Sequence, residues 1–120
     1  MKGFKIGYWI ALVLFSAFML MSAFNFLFNT DVTATLFKSL GFPSFIIIPL
    51  GVAKILGVIA IASRYSEKLK EWALVGFFFD FSMAIYSHIN ANDGMFMMPV
   101  LALIMLLAVF FFEKKAFEAA

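Results

Sequence analysis

Four apolar blocks, each about as long as a bilayer is thick, constrain this chain more than any other feature. They run over about 8–28, 45–62, 72–89 and 95–112, separated by short polar stretches. A helix rises about 1.5 Å per residue, so roughly 20 apolar residues cross the ~30 Å hydrocarbon layer. Inside that layer every backbone N–H and C=O must bond internally, which leaves helices or closed barrels. Continuous apolar runs, rather than strict alternation, select helices. The expectation is an all-α, integral membrane, four-transmembrane-helix bundle occupying all 120 residues as a single domain. A water-soluble core of that size has no room for 65% hydrophobic residues, 18 of them phenylalanine, with only 13% charged.

The polar stretches refine the picture. Met1–Lys5 ahead of an apolar run resembles a signal peptide, but the run Ile6–Leu27 is longer than a signal h-region. No small-x-small cleavage site follows it cleanly, so the first block reads as a retained span, with Tyr8 and Trp9 as interfacial aromatics. Residues 29–43 are too polar to span. Within them Val32, Leu36 and Leu40 repeat every four residues, after possible caps Thr30 and Asp31 and before Gly41 and Pro43. That pattern predicts a short amphipathic interfacial helix between spans one and two. Residues 63–71 form a charged connector, 90–94 a tight turn, and 113–120 a polar tail. Pro99 falls in or near the first turn of the fourth span, where proline is tolerated.

Lys and Arg placement predicts orientation. Lys2, Lys5, Arg64, Lys68, Lys70, Lys114 and Lys115 fall on one side of a four-span chain, and only Lys38 on the other. By the positive-inside rule the chain is expected in the cell (inner) membrane with both termini cytoplasmic.

Chemistry-bearing residues are few. The chain has no cysteine and a single histidine, His88, so disulfides, thiolate metal sites and a histidine-cluster metal or haem site within one chain are not expected. Neither a phosphate loop, a nucleophile triad nor a nucleic-acid signature occurs, so no catalytic residue, cofactor or nucleic-acid partner is expected. Lys54 and Asp80 stand out because each lies about eight residues, roughly 12 Å, from the cytoplasmic end of its span. The spans are antiparallel neighbours, and an unpaired charge at that depth costs ~2.5 kcal/mol or more. The two therefore form an ion pair or the two walls of a polar pocket. Such a pair either fixes helix register or marks a site for a ligand, proton or partner.

Surrounding residues place this pair inside the bundle. Gly76, Asp80, Ala84 and His88 recur every four residues, with Met83 and Ser87 beside them. Gly51, Lys54 and Val58 share a face of the second span, flanked by Gly57, and small residues let helices approach closely. Phe77, Phe78, Phe79 and Phe81 cannot all point inward, so some face lipid. His88 lies at about the depth of Asn25, either as an interfacial hydrogen-bonding group or as a proton carrier. The candidate ligand or partner pocket is thus Lys54, Asp80, His88, Asn25, Met83 and Ser87. Glu67 and Glu71 are expected as solvated partners of Arg64, Lys68 and Lys70, Trp72 as an interfacial anchor, and Met95, Met97, Met98 and Met105 as packing or an adaptable surface.

The segment Gly51–Gly57 (GVAKILG), followed by Leu69–His88 (LKEWALVGFFFDFSMAIYSH) and preceded by Leu40–Pro43 (LGFP), resembles the DoxX-like family of small four-helix membrane proteins. The resemblance extends over nearly the whole chain and implies Lys54, Asp80 and His88 as signature positions. The family name points to a subunit of thiosulfate:quinone oxidoreductase. A related branch contains the eukaryotic chaperone of nicotinic acetylcholine receptors, which resembles an acidic rather than a lysine pattern in the second span.

Two functions follow as expectations. The first is a non-enzymatic membrane protein that binds a lipid-like ligand or another transmembrane protein, assisting its assembly or stability, with membrane lipids, another membrane protein or a second copy in a homodimer as partners. The alternative is a membrane subunit of a quinone-linked oxidoreductase complex. A transporter is disfavoured because paired broken helices and an inverted repeat are missing.

Overall fold

The computed structural model describes residues 2–117, and among these residues the chain is helical almost throughout, with no strand. The helices are α1 (Lys2–Phe28), α2 (Thr30–Leu40), α3 (Ile47–Ser63), α4 (Glu67–Ala91) and α5 (Met97–Phe117), and a 3-10 turn, Ser44–Ile46, leads into α3. Four of them, α1, α4, α5 and α3 with its leading turn, are long and apolar enough to cross a membrane. The chain is a four-span helical bundle, 47 Å along its longest axis.

The spans pack in the cyclic order α1–α3–α4–α5, which sets α1 and α4 at opposite corners. Aromatic rings fill the diagonal between them. Phe15 meets Phe77 edge-on with centroids 5.1 Å apart and Phe81 at 6.1 Å. Phe77 and Phe81, one helical turn apart, stack at 5.7 Å. In lipid no solvent is driven off apolar surface, so close packing of this kind holds helices together. Gly57 permits it, because a Cβ there would lie 2.7 Å from the Phe77 ring. Phe78 and Phe79 point outward, as the crowding of four phenylalanines requires.

The elements extend beyond the blocks read from hydropathy, since a helix continues into polar surroundings while its hydrogen-bond ladder is satisfied. The connector 63–71 shrinks to Arg64–Ser66. Arg64 closes α3 in a left-handed conformation (φ 54°), and the Ser66 hydroxyl caps α4 by accepting from the Leu69 N–H at 3.3 Å. Likewise, α4 runs on to Ala91, and Asn92 (φ 54°) makes the turn. Pro99 is the third residue of α5, within its first turn.

Three expectations are corrected. Tyr8 is no interfacial aromatic; it is wholly buried against Phe117 and Trp9. Neither Thr30 nor Asp31 caps α2. The chain merely bends at Asn29, and the Thr30 hydroxyl donates back to the carbonyls of Phe26 and Leu27. The expected interfacial helix is present as α2; Leu36 and Leu40 of its repeat are half-buried, Val32 is 74% exposed, and Thr33 and Phe37 are its buried residues. Phe37 meets Phe26 edge-on at 5.4 Å, a ring contact to α1 that helps set the rotation of α2. Finally, Glu113 is a buried residue of α5, not the start of a polar tail; residues 118–120 of that tail lie outside the described residues.

Candidate functional site

Lys54 and Asp80 each lie within one residue of the midpoint of their helix. The Lys54 ammonium donates to Asp80 Oδ2 at 3.0 Å, with side-chain exposures of 9% and 34%. Two rings box the ammonium, Phe26 at 5.2 Å and Phe81 at 5.9 Å from nitrogen to centroid. Ring faces carry negative charge density, so they favour a cation that has left water. Neither ring was in the sequence-derived site. The signal was present, because Tyr8, Leu12, Phe15, Met19, Ser22 and Phe26 follow helical spacing and form one stripe of α1.

The pair forms part of the wall of a cavity of about 480 Å³ bounded by all five helices. Its lining is aromatic and aliphatic, interrupted only by Ser22, Lys54, Asp80 and His88. Gly76, Asp80, Ala84 and His88 all line it, as their spacing of four predicts, and Met83 and Met98 contribute side chains. Leu36, Phe37 and Leu40 of α2, with Phe42, bound the end away from the charged connector. A smaller groove between α3 and α4 shares Leu50, Lys54, Gly76 and Asp80 with the cavity, so the ion pair stands where the two meet. Apart from Gly76, its chain neighbours and its own helix backbone, no atom lies within 4 Å of the position a Gly76 Cβ would occupy, which leaves space beside it at this seam.

The remaining candidates divide. His88 lines the cavity, and its Nδ1 is 2.8 Å from Oδ2 of Asp93. Asp93 also accepts the Met95 N–H at 2.9 Å, and that bond, followed by the one to His88, holds its carboxyl below the usual carboxylate range. Asn25 is exposed, accepts from the Asn29 amide at 2.9 Å, and does not line the cavity. Ser87 is buried but also lies off the cavity lining.

A second polar cluster, at the opposite end from α2, escaped the sequence reading. Glu113 is bonded to both Arg64 and Lys70, and Arg64 also donates to the Tyr8 hydroxyl at 3.1 Å. The guanidinium lies 3.9 Å from the Phe117 ring centroid. Its bond to Glu113 outweighs burial and keeps the Arg64 pKa above its ordinary value. Lys70 also reaches Glu67 at 3.1 Å. This cluster ties α1, α3, α4 and α5 together at one end and closes the bundle there. Among the described residues no group of three or more His, Cys, Asp or Glu is placed to hold a metal.

Searches of curated proteins and of solved structures returned no match. The family model of the DoxX-like family matches residues 10–111, a range that holds the cavity, the Lys54–Asp80 pair and the open seam. With most of its length matched, the chain belongs to the DoxX-like family.

Proposed function

We propose that the protein is a non-enzymatic, multi-pass protein of the cell (inner) membrane that holds a lipid-like ligand between its helices, both termini lying in the cytoplasm. The observation carrying this reading is the cavity of about 480 Å³, apolar except for a few convergent polar groups, which runs from the ion pair at mid-bundle depth to the end covered by α2. Its size and lining are those of small-molecule sites, in which apolar walls supply affinity and sparse polar groups fix orientation. Purely structural ion pairs need no adjacent void. Here the groove and the cavity share lining residues at the pair, which supports lateral entry of a membrane-dissolved molecule from lipid. Assistance to another membrane protein follows as the consequence of holding or presenting such a molecule. The seven cations at one end, against Lys38 at the other, support the orientation.

The test is extraction from native membranes in mild detergent, followed by mass-spectrometric identification of everything that co-purifies. One amphiphile per chain is the expected result. A stoichiometric quinone would instead assign the chain to a quinone-linked complex. A constant protein partner with no small molecule would replace ligand binding with assembly through the protein surface.

A further inference from the structure

The hydrogen-bonding capacity of the Lys54–Asp80 pair is unevenly spent, and the imbalance selects a ligand. Lys54 is nearly enclosed: one of its three N–H donors is on Asp80 Oδ2, and two phenyl ring centroids lie 5.2 and 5.9 Å from its ammonium. Asp80 is different. Only Oδ2 is bonded; Oδ1 has no hydrogen-bond partner among the described residues, and the side chain is 34% exposed where cavity and groove meet. A carboxylate oxygen accepts and cannot donate. At this depth water is scarce, so a donor arriving with an apolar molecule would meet an acceptor lacking competition.

Resting on the lipid-like reading above, we propose that the ligand is an apolar molecule with a neutral hydroxyl head, donating to Asp80 Oδ1 while its hydrocarbon part fills the cavity. The head is neutral because the pair already balances its own charge. An anionic head would meet the free carboxylate oxygen, and a cationic head would enter the field of Lys54, 3.0 Å from the same carboxylate. Heads that only accept, such as ethers and quinone carbonyls, can take a spare Lys54 N–H but leave Oδ1 unsatisfied, whereas a hydroxyl can donate to Oδ1 and accept from Lys54 as well. Discrimination of this kind is strong because the site's own polar group goes unpaired with the wrong ligand. Long-chain alcohols and diacylglycerols share the required group.

The experiment uses the wild-type chain in nanodiscs doped separately with hexadecanol, dioleoylglycerol, hexadecyl methyl ether, hexadecanoate, hexadecylamine or decylubiquinone, with retention read by native mass spectrometry. Hexadecanol or dioleoylglycerol should be retained at least ~10-fold more than the ether, the equivalent of one hydrogen bond to a charged group. Which of the two is held tells a single-chain alcohol from a glycerolipid. The Lys54→Met/Asp80→Leu variant, if folded, should lose this preference; the comparison of alcohol with ether needs no variant. Equal retention of ether and alcohol, or stronger retention of the acid, amine or quinone, overturns the hydroxyl assignment and leaves ligand binding standing. Retention of none of the probes removes both.

Discussion

Truncation of Glu113 should cost far more than its place near the end of the chain suggests. Its carboxylate is shared by Arg64 and Lys70, and the side-chain exposures of the three are 9%, 23% and 4%. Removing one partner of a buried pair typically costs about 3–5 kcal/mol, because the remaining charge is left uncompensated. Here two cations are stranded, but neither is left bare. Arg64 keeps the Tyr8 hydroxyl and the Phe117 ring, and Lys70 keeps Glu67. The lower end of the range, about 3 kcal/mol, is therefore expected for Glu113→Ala. Glu67→Ala is the internal control. It also removes a carboxylate from Lys70, but Glu67 is 73% exposed, and a pair of that kind contributes under ~1 kcal/mol. Reversible unfolding in mixed micelles, titrated with a denaturing detergent, reads both. If Glu113→Ala cost no more than Glu67→Ala, the cluster would be a solvated surface network and not the closure of the bundle.

Three further outcomes follow. Lys54→Met and Asp80→Leu should each destabilise the solubilised protein by roughly 2 kcal/mol, and the double change by less than either, when followed by the same titration; additive losses would show that the two do not act as one unit. A single cysteine at Asp93 should react with an impermeant thiol reagent on intact cells and one at Glu67 should not, since the connector beside Glu67 carries the basic cluster; the reverse pattern would invert the orientation. Asp93, whose folded pKa is depressed, adds stability that is complete above its unfolded carboxylate value and is lost as pH falls through the folded one. Its Asp93→Asn variant should therefore shed that increment at neutral pH and show a shallower acid-induced loss in a pH series of thermal melts.

Much of this molecule is legible in the one-dimensional order of its residues, for physical reasons that can be named. Spans are visible because lipid demands long apolar helices, and Lys54 and Asp80 because a charge in such a helix needs a partner. The four-residue spacing of Gly76, Asp80, Ala84 and His88 places all four on the cavity. What stays hidden is whatever depends on contacts between distant segments. Glu113 looked like a polar tail because hydropathy cannot reveal that Arg64 and Lys70, more than 40 positions earlier, converge on it. Asn25 was matched to His88 by depth alone. Depth fixes height along the bundle axis but not rotation about it, and Asn25 turns outward while His88 finds Asp93. The same limit hides the rotation of α2, which depends in part on the Phe26–Phe37 contact.

The central claim is that a small amphiphile occupies the cavity beside the ion pair, and Gly76 offers the most direct test. A Cβ at this position meets nothing within 4 Å outside its own helix backbone, and Gly76 lines both cavity and groove, so a larger side chain there takes up space at the seam. Native mass spectrometry of protein drawn from its own membranes should show one amphiphile-sized adduct per wild-type chain. Gly76→Leu should lose that adduct while its thermal unfolding remains close to wild type. A wild-type chain with no adduct, or a Gly76→Leu chain that keeps the adduct in full, would contradict the account.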